Sequence, residues 1–268
     1  METLAFIGGG NMATAIVGGL LRAGTAADAI LIIEPSVEQR AWLAASFPGV
    51  VLREAAGAAL AQARTVVWAV KPQQFEDAAA PCKSFVSNAL QLSIMAGVTC
   101  ARLAAATGST TVVRAMPNTP ALIGQGIAGL YATAAVSAAQ RAASEQVLAP
   151  TGSLLWVAQE ADLDAVTALS GSGPAYVFYF IEAMVDAGVQ MGLPAAQARR
   201  LAQETFAGAA QLAMRSDESP ATLHERVTSK GGTTFAAITA LDDAAVKAAF
   251  VKALHAARDR AAQLGAES

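Results

Sequence analysis

The sequence predicts an α/β domain followed by an all-helical domain, and three observations lead to this prediction. The chain has 268 residues, which corresponds to about two domains at roughly 100–200 residues each. Up to residue 160, short apolar runs alternate with alanine-rich stretches, a pattern typical of a parallel sheet with helices on both faces. After Asp162 these runs stop, and Ala, Leu, Gln and Arg dominate. We therefore predict domains over residues 1–160 and 161–268.

Seven short runs in the first domain are predicted to be strands. Leu4–Ile7 and Thr65–Val70 are almost wholly apolar, as expected for strands that are buried on both faces of a sheet. Segments such as Asn11–Ala23 and Ser137–Leu148 are long enough to form the helices that connect parallel strands. The predicted strands are Leu4–Ile7, Ile30–Ile33, Thr65–Val70, Leu90–Met95, Thr111–Arg114, Ile127–Tyr131 and Leu154–Val157.

Composition argues against several classes of protein. Charged residues make up only 15% of the chain and the net charge is −3, which leaves no basic surface for nucleic acid. Cys82 and Cys100 are too few for a disulfide framework, and no Cys or His cluster predicts a metal site. His224 and His255 lie in the helical domain without a nucleophile motif, so no catalytic triad is predicted.

Membrane insertion and secretion are not predicted either. The longest apolar stretch, Tyr176–Met191, contains Glu182 and Asp186, which argues against a membrane span. The start Met1-Glu2 leads directly toward a glycine-rich loop and lacks the basic region of a signal peptide. These features predict a soluble protein in the reducing environment of the cytoplasm.

A glycine-rich turn follows the first predicted strand and fits the pattern G-x-G-x-x-A. Gly8 permits a tight turn, Gly10 lets the backbone approach a pyrophosphate, and Ala13 allows the next helix to pack closely on the sheet. The helix predicted over Met12–Leu21 would direct its N-terminal N–H groups at that anion. A glycine turn in another kind of α/β protein is the alternative, but this context favours a nicotinamide or flavin dinucleotide. The predicted cofactor-binding residues of this turn are Ile7, Gly8, Gly9, Gly10, Asn11 and Met12.

More cofactor-binding residues are expected at the same edge of the sheet, because ligands bind beyond the carboxyl ends of parallel strands. Glu34 ends the second strand, where a carboxylate would accept a hydrogen bond from the adenosine ribose and repel a 2′-phosphate. Glu34 thus favours NAD, although Arg40 could offset this effect, and a plain strand-end glutamate is the alternative. A solvated lysine is likewise the alternative for Lys71. The residues predicted to bind the cofactor here are Glu34, Ala69, Val70, Lys71, Pro72, Ala96 and Gly97.

Five sequence blocks carry a resemblance to a known family. They are Phe6–Met12 (FIGGGNM), Ala69–Pro72 (AVKP), Arg114–Ala121 (RAMPNTPA), Leu169–Tyr176 (LSGSGPAY) and Val227–Thr234 (VTSKGGTT). In this order and at this spacing, the sequence resembles pyrroline-5-carboxylate reductase over essentially its whole length. The resemblance implies an oxidoreductase that reduces L-1-pyrroline-5-carboxylate to L-proline with NAD(P)H, the last step of proline biosynthesis.

The resemblance also implies an architecture and a cofactor. The architecture is a Rossmann domain followed by a helical domain that forms a homodimer by interleaving, with higher homo-oligomers built from dimers. The cofactor it suggests is NADP. Two positions depart from the family, since Glu34 stands where many members carry a small hydroxyl residue and Lys230 stands where many carry proline. The sequence therefore leaves the choice between NADH and NADPH open.

Two glycine-rich turns are predicted to bind the substrate, whose reduction needs mainly positioning because a cyclic iminium is already electrophilic. Gly231–Thr234 precedes the predicted helix Phe235–Leu241, whose N–H groups would bind a carboxylate. Ser170–Pro174 precedes the predicted helix Ala175–Gln190, and ordinary helix capping is the alternative for both turns. Thr234 matches the position that the family uses near the ring nitrogen and is the predicted catalytic residue. The predicted substrate-binding residues are Ser170, Gly171, Ser172, Gly173, Ser229, Gly231, Gly232, Thr233 and Thr234.

Two further predictions concern a loop and the oligomeric state. Asn118 lies between two prolines that stiffen its loop, and it is a candidate to bind the nicotinamide carboxamide, with a rigid structural turn as the alternative. The apolar stretches Tyr176–Met191 and Leu201–Met214 exceed what a small helical domain can bury alone. We therefore expect at least a dimer, with each active site built from the first domain of one subunit and helices of its partner.

Two other functions remain as alternatives. A 3-hydroxy acid dehydrogenase has a similar plan, but it carries a catalytic lysine where this chain has Val177. Alcohol oxidation needs a base or a polarising group, and valine supplies neither. A non-catalytic redox sensor that binds a dinucleotide would not require the Gly231–Thr234 turn, and it would not oxidise NAD(P)H when offered pyrroline-5-carboxylate.

Overall fold

The computed structural model describes residues 3–267, so the prediction made for Met1 and Glu2 lies outside the described residues. The predicted α/β class is confirmed, with an eight-stranded sheet in the described part of the chain. Each of the seven predicted strands is present, with ends that differ by a few residues. The strands are Thr3–Ile7 (β1), Ile30–Ile33 (β2), Val51–Arg53 (β3), Ala63–Trp68 (β4), Leu90–Ser93 (β5), Val112–Met116 (β6), Gly126–Ala132 (β7) and Gly152–Trp156 (β8).

Helices connect these strands and then continue without further strands to the end of the described chain. The segment Thr167–Gly171 forms a π-helical turn directly before the first long helix of the C-terminal part. The α-helices are Asn11–Arg22 (α1), Val37–Ser46 (α2), Phe75–Ala79 (α3), Lys83–Val86 (α4), Cys100–Thr107 (α5), Ala138–Leu148 (α6), Asp162–Val166 (α7), Gly173–Gln190 (α8), Ala195–Arg215 (α9), Pro220–Arg226 (α10), Thr233–Asp243 (α11) and Val246–Glu267 (α12).

The sheet has the strand order β3-β2-β1-β4-β5-β6-β7-β8, and it is mostly but not wholly parallel. Strand β7 runs antiparallel to β6. Only residues 117–125 connect these two strands, and a parallel crossover needs about a dozen or more residues. The edge strand β3, which was not predicted, has only three residues, and they are exposed or half-buried.

The two faces of the sheet bury separate apolar clusters, as the alternation of side chains along β1 illustrates. Phe6 belongs to the cluster beneath α1, together with Ile16 of that helix. Ala5 and Ile7 point to the opposite face, where they join the cluster that contains Trp68. Both faces are therefore covered, which explains why β1 and β2 are almost wholly apolar.

The chain divides into two compact units. The first unit comprises the described residues up to Ser172 and those from Ala257 onward, and the second comprises Gly173–Ala256. Within the second unit, the rings of Tyr176 and Phe180 each contact Phe250 edge-on, with centroids 5.6 Å apart. The domain boundary proposed at residue 160 stays a prediction, because a division by contacts does not test where one function ends and another begins.

Candidate active site

The glycine turn between β1 and α1 is fixed by contacts that exclude larger residues. Gly8 has a φ of +97°, and a Cβ atom there would lie 2.8 Å from the carbonyl oxygen of Ala69. Its N–H donates to the carbonyl oxygen of Ile33 at 2.9 Å. By contrast, Gly10 precedes the first turn of α1 and has no atom within 4 Å of its would-be Cβ. The helix N-terminus is therefore open for an anion to approach the backbone closely.

Glu34 lies beside this turn at the carboxyl end of β2. The N–H of Gly9 donates to one oxygen of its carboxylate, and the N–H of Ser36 donates to the other, each at 2.9 Å. The side chain of Gln39 donates to the carbonyl oxygen of Gly9 at 2.6 Å. The carboxylate and the glycine turn are thus held together as one rigid arrangement.

A cavity of about 630 Å³ opens at this edge of the sheet, within the usual volume range of a ligand pocket. The loop that follows β4 forms one wall, and the strand end at Glu34 forms another. This volume, the open Gly10 and the oriented N–H groups of α1 fit the pyrophosphate and adenosine of a dinucleotide. The predicted cofactor residues that line the cavity are Ile7, Gly8, Gly10, Glu34, Ala69, Val70 and Lys71.

Other predicted cofactor residues lie in the same loops without lining the cavity. Gly9, Asn11 and Met12 belong to the glycine turn and the start of α1, and Pro72 follows Lys71. Ala96 and Gly97 follow β5, where Gly97 has a φ of +76°. A Cβ atom at Gly97 would lie 3.4 Å from the backbone of Leu264 in α12.

Asn118 joins three segments of the first unit. Its Nδ2 donates to the carbonyl oxygen of Ser170 at 3.1 Å, and its Oδ1 accepts from the N–H of Ile127 at 3.0 Å. Nearby, a Cβ atom at Gly171 would lie 2.6 Å from the methyl carbon of Met116, so the π-helical turn packs tightly against this loop. These contacts give Asn118 a structural role, and its predicted contact with the nicotinamide stays a prediction.

A buried ion pair lies near the Asn118 loop, and we did not predict it. Arg114 of β6 donates from Nη1 to Oε1 of Glu160 at 2.7 Å, and the N–H of Cys100 donates to the same oxygen at 2.7 Å. The Arg114 side chain is only 9% exposed. One carboxylate therefore ties together β6, the start of α5 and the segment before α7. The signal was available, since Arg114 interrupts an otherwise apolar strand.

The pKa of the Cys100 thiol reflects the same environment. Burial, followed by the nearby Glu160 carboxylate, raises the pKa of Cys100 to about 12. Burial alone raises the pKa of Cys82 to about 11. Because the thiolate is the reactive form of cysteine, neither side chain is suited to be a nucleophile near neutral pH.

The Gly231–Thr234 turn belongs to the second unit and leads into α11. Gly231 has a φ of +77°, a left-handed conformation that favours glycine. The N–H of Gly232 donates to the carbonyl oxygen of Ser229 at 3.0 Å, and no side chain caps the helix that follows. The N–H groups in the first turn of α11 lack acceptors within the helix, as at any helix start. Thr234 is half-buried beside them.

Comparison with known proteins identifies the family. A pyrroline-5-carboxylate reductase from Pseudomonas aeruginosa is 46% identical over 266 residues, which covers 97% of this chain and 96% of that protein. The chain belongs to the pyrroline-5-carboxylate reductase family. A structure of the Coxiella burnetii reductase superposes with a TM-score of 0.91 at 36% identity and 98% coverage of both chains. A Plasmodium falciparum pyrroline carboxylate reductase with NADP bound gives a TM-score of 0.88 at 28% identity and 99% coverage of both.

Two family models match separate parts of this reductase. The model described as pyrroline-5-carboxylate reductase dimerisation matches residues 160–264, and this match supports a homodimer. The model described as NADP oxidoreductase, coenzyme F420-dependent, matches residues 3–97. The predicted family, the oxidoreductase class, the reduction of pyrroline-5-carboxylate to proline and the use of NAD(P)H are thereby confirmed. The hydroxy acid dehydrogenase and sensor alternatives are not favoured.

Two features are absent from the part of the chain that the structure describes. Within residues 3–267, no group of three or more His, Cys, Asp or Glu side chains is arranged to hold a metal ion. Over the same residues, no helix combines the length and the apolar character needed to cross a membrane.

Proposed function

We propose that this reductase binds the dinucleotide along the Gly8–Met12 turn and binds L-1-pyrroline-5-carboxylate at the Gly231–Thr234 turn. The cavity beside the glycine turn is the observation that carries the first assignment, because an open helix N-terminus and a fixed carboxylate meet there. A bound NAD(P)H supplies the hydride that reduces the C=N bond. The remaining cofactor residues in this proposal are those predicted above, including Ala96, Gly97 and Asn118.

The substrate carboxylate is assigned to the start of α11. Uncapped N–H groups at a helix N-terminus bind anions, and the helix dipole adds to this preference. Gly232 has little room for a side chain, since a Cβ atom there would lie 2.8 Å from the Ser229 hydroxyl oxygen. The Ser170–Gly173 turn, which is fixed by Asn118, is proposed as a second wall of the substrate site.

Thr234 is proposed to act at the ring nitrogen. Hydride addition at carbon turns the iminium into an amine whose nitrogen gains a lone pair, and the Thr234 hydroxyl can donate a hydrogen bond to it. Thr234→Val keeps the shape and removes the hydroxyl. If the bond forms only in the transition state, kcat and kcat/KM fall together, by about ten- to a hundredfold.

The oligomeric part of the proposal concerns shared active sites. Apolar side chains of α8 and α9 are exposed in the single chain, among them Phe178 at 63% and Leu201 at 58%. We propose that a dimer covers them and that each site joins the glycine turn of one subunit to the Gly231–Thr234 turn of its partner. Higher assemblies would then be built from dimers. An active monomer in light scattering at micromolar concentration would contradict this.

A spectrophotometric assay tests the whole proposal. Wild-type protein should oxidise NADH or NADPH only when pyrroline-5-carboxylate is added, with proline as the product. Gly232→Val should raise the KM for pyrroline-5-carboxylate far more than the Kd for the dinucleotide, since it alters only the substrate turn. Unchanged kinetics in Gly232→Val and Thr234→Val would place the substrate elsewhere.

We also propose a cytoplasmic location, for which the lack of a disulfide framework is the support.

A further inference from the structure

The cavity beside the glycine turn carries more negative than positive charge. Of the described residues that line it, Glu34, Glu54 and Asp77 carry carboxylates, whereas Lys71 carries an ammonium group. Glu54 follows β3 at the edge of the sheet and was not among the predicted site residues. This balance opposes any ligand group that adds negative charge at this end of the cavity.

The Glu34 carboxylate is oriented before any ligand binds. Its two oxygens accept from the N–H groups of Gly9 and Ser36, so the side chain has little freedom to turn away. A carboxylate offers about four lone-pair positions, and the remaining ones can accept hydrogen bonds from two ribose hydroxyls. A 2′-phosphate at the same place would meet a like charge and offer no donor.

Arg40 is the residue that could reverse this preference, but its guanidinium is already engaged. Nη1 donates to the carbonyl oxygens of Glu34 and Pro35 at 2.7 and 2.8 Å. Nη2 donates to Oε2 of Glu54 at 3.0 Å. A phosphate that used Arg40 would have to displace Glu54 or share the guanidinium with it.

We infer that this site selects NADH over NADPH. Glu34 accepts hydrogen bonds from the ribose hydroxyls, and Glu54 holds Arg40 in an ion pair so that Arg40 does not bind a 2′-phosphate. The inference rests on the proposed function in placing the adenosine ribose at Glu34. The inferred preference for NADH differs from the cofactor choice in the Plasmodium falciparum structure, which holds NADP. It makes Glu54 a positioning residue that acts through Arg40.

Direct binding of each dinucleotide to the full-length protein, by calorimetry without substrate, tests this inference. Wild-type protein should bind NADH about ten- to a hundredfold more tightly than NADPH. Glu34→Gln should weaken the binding of NADH and strengthen the binding of NADPH. Glu34→Ser should have the same effect and replaces the glutamine variant if that variant folds poorly. Glu54→Gln should raise the affinity for NADPH about threefold or more and leave the affinity for NADH unchanged, because this substitution releases only Arg40.

Two controls separate this effect from a general change in charge. Adding Arg40→Gln to Glu54→Gln should abolish the gain for NADPH, since the two residues act through one ion pair. Asp28→Asn removes one exposed negative charge before β2, at the opposite end of the strand, and should leave both affinities unchanged.

Three results would overturn the inference. These are equal or tighter binding of NADPH by wild-type protein, an unchanged ratio in Glu34→Gln and Glu34→Ser, and a gain in Glu54→Gln that persists without Arg40. The same samples should be assayed with pyrroline-5-carboxylate. Selective NADH binding without turnover would contradict the reductase activity and leave the inference standing, so the two failures are distinguishable.

Discussion

The two glycine turns of this reductase differ in what surrounds them. At Gly8 the turn is enclosed, because a Cβ atom would strike the Ala69 backbone and the neighbouring Gly9 is bonded to Glu34. At Gly231 the turn is exposed and no atom lies within 4 Å of the would-be Cβ. Contacts within the first unit therefore fix the conformation of the Gly8 turn. The Gly231 turn has few neighbours within the second unit. The two turns therefore differ in how far a single unit restricts substitution at them.

Substitutions in the enclosed turn should have the largest effect on stability. Gly8→Ala forces a non-glycine residue to a φ of +97° and places its Cβ 2.8 Å from a backbone oxygen. We expect it to lower the free energy of unfolding by about 3–4 kcal/mol. Gly10→Ala is the matched control, because its Cβ enters open space. It should leave the melting temperature unchanged and weaken dinucleotide binding, measured by calorimetry. Equal destabilisation by both variants would contradict the enclosed geometry.

The buried ion pair should produce the next largest effect. Glu160→Gln leaves Arg114 with its charge buried and its main partner neutral, so we expect a loss of about 2–3 kcal/mol in urea unfolding. Glu76→Gln is the control, since Glu76 pairs with Arg102 but its side chain is 56% exposed. An exposed pair contributes about 0–1 kcal/mol. A similar loss in both variants would mean that burial of the Arg114 pair adds nothing.

The last prediction concerns the rate at which a thiol reagent labels the two cysteines. Because both cysteines lie in the first unit, this rate reports on that unit alone. Cys82 and Cys100 are the two cysteines of the chain, and the second unit has none. With pKa values raised to about 11 and about 12, both remain protonated at pH 8. A thiol reagent should label native protein far more slowly than urea-unfolded protein. Labelling should keep accelerating up to about pH 11, beyond the pKa of about 8.5 at which the rate for a free cysteine levels off. Fast labelling at pH 8 would show that the first unit opens readily.

The sequence predicted those parts of the fold whose signal lies within a few residues. Apolar β1 and β4 and the glycine turn between β1 and α1 are clear from local pattern. Strand β3 was missed because its apolar run, residues 50–52, is shorter than the five or six residues of a typical strand. The reversal of β7 was missed because the predicted strands left residues 115–126 as their connection, which is long enough for a parallel crossover. The observed strands leave only residues 117–125.

The candidate site was predictable to a similar extent. Glu34 was predicted to lie beside the glycine turn because a carboxylate at this strand end has a known use there, and the structure places it at Gly9. Glu54 and Glu160 were missed because each acts through a distant arginine, Arg40 or Arg114, and sequence separation hides that pairing. Asn118 was predicted to bind the cofactor, whereas its observed bonds to Ser170 and Ile127 depend on the tertiary fold.

The end of α12 has a consequence for how the protein is made. This helix begins in the second unit and ends in the first, where Leu264 lies against Gly97. The amino-terminal part of a chain emerges from the ribosome first, and domains commonly fold as they emerge. The nucleotide-binding unit of this reductase cannot gain its contact at Gly97 until the residues near Leu264 have been synthesised. Its folding is therefore completed late, after the whole helical unit has left the ribosome.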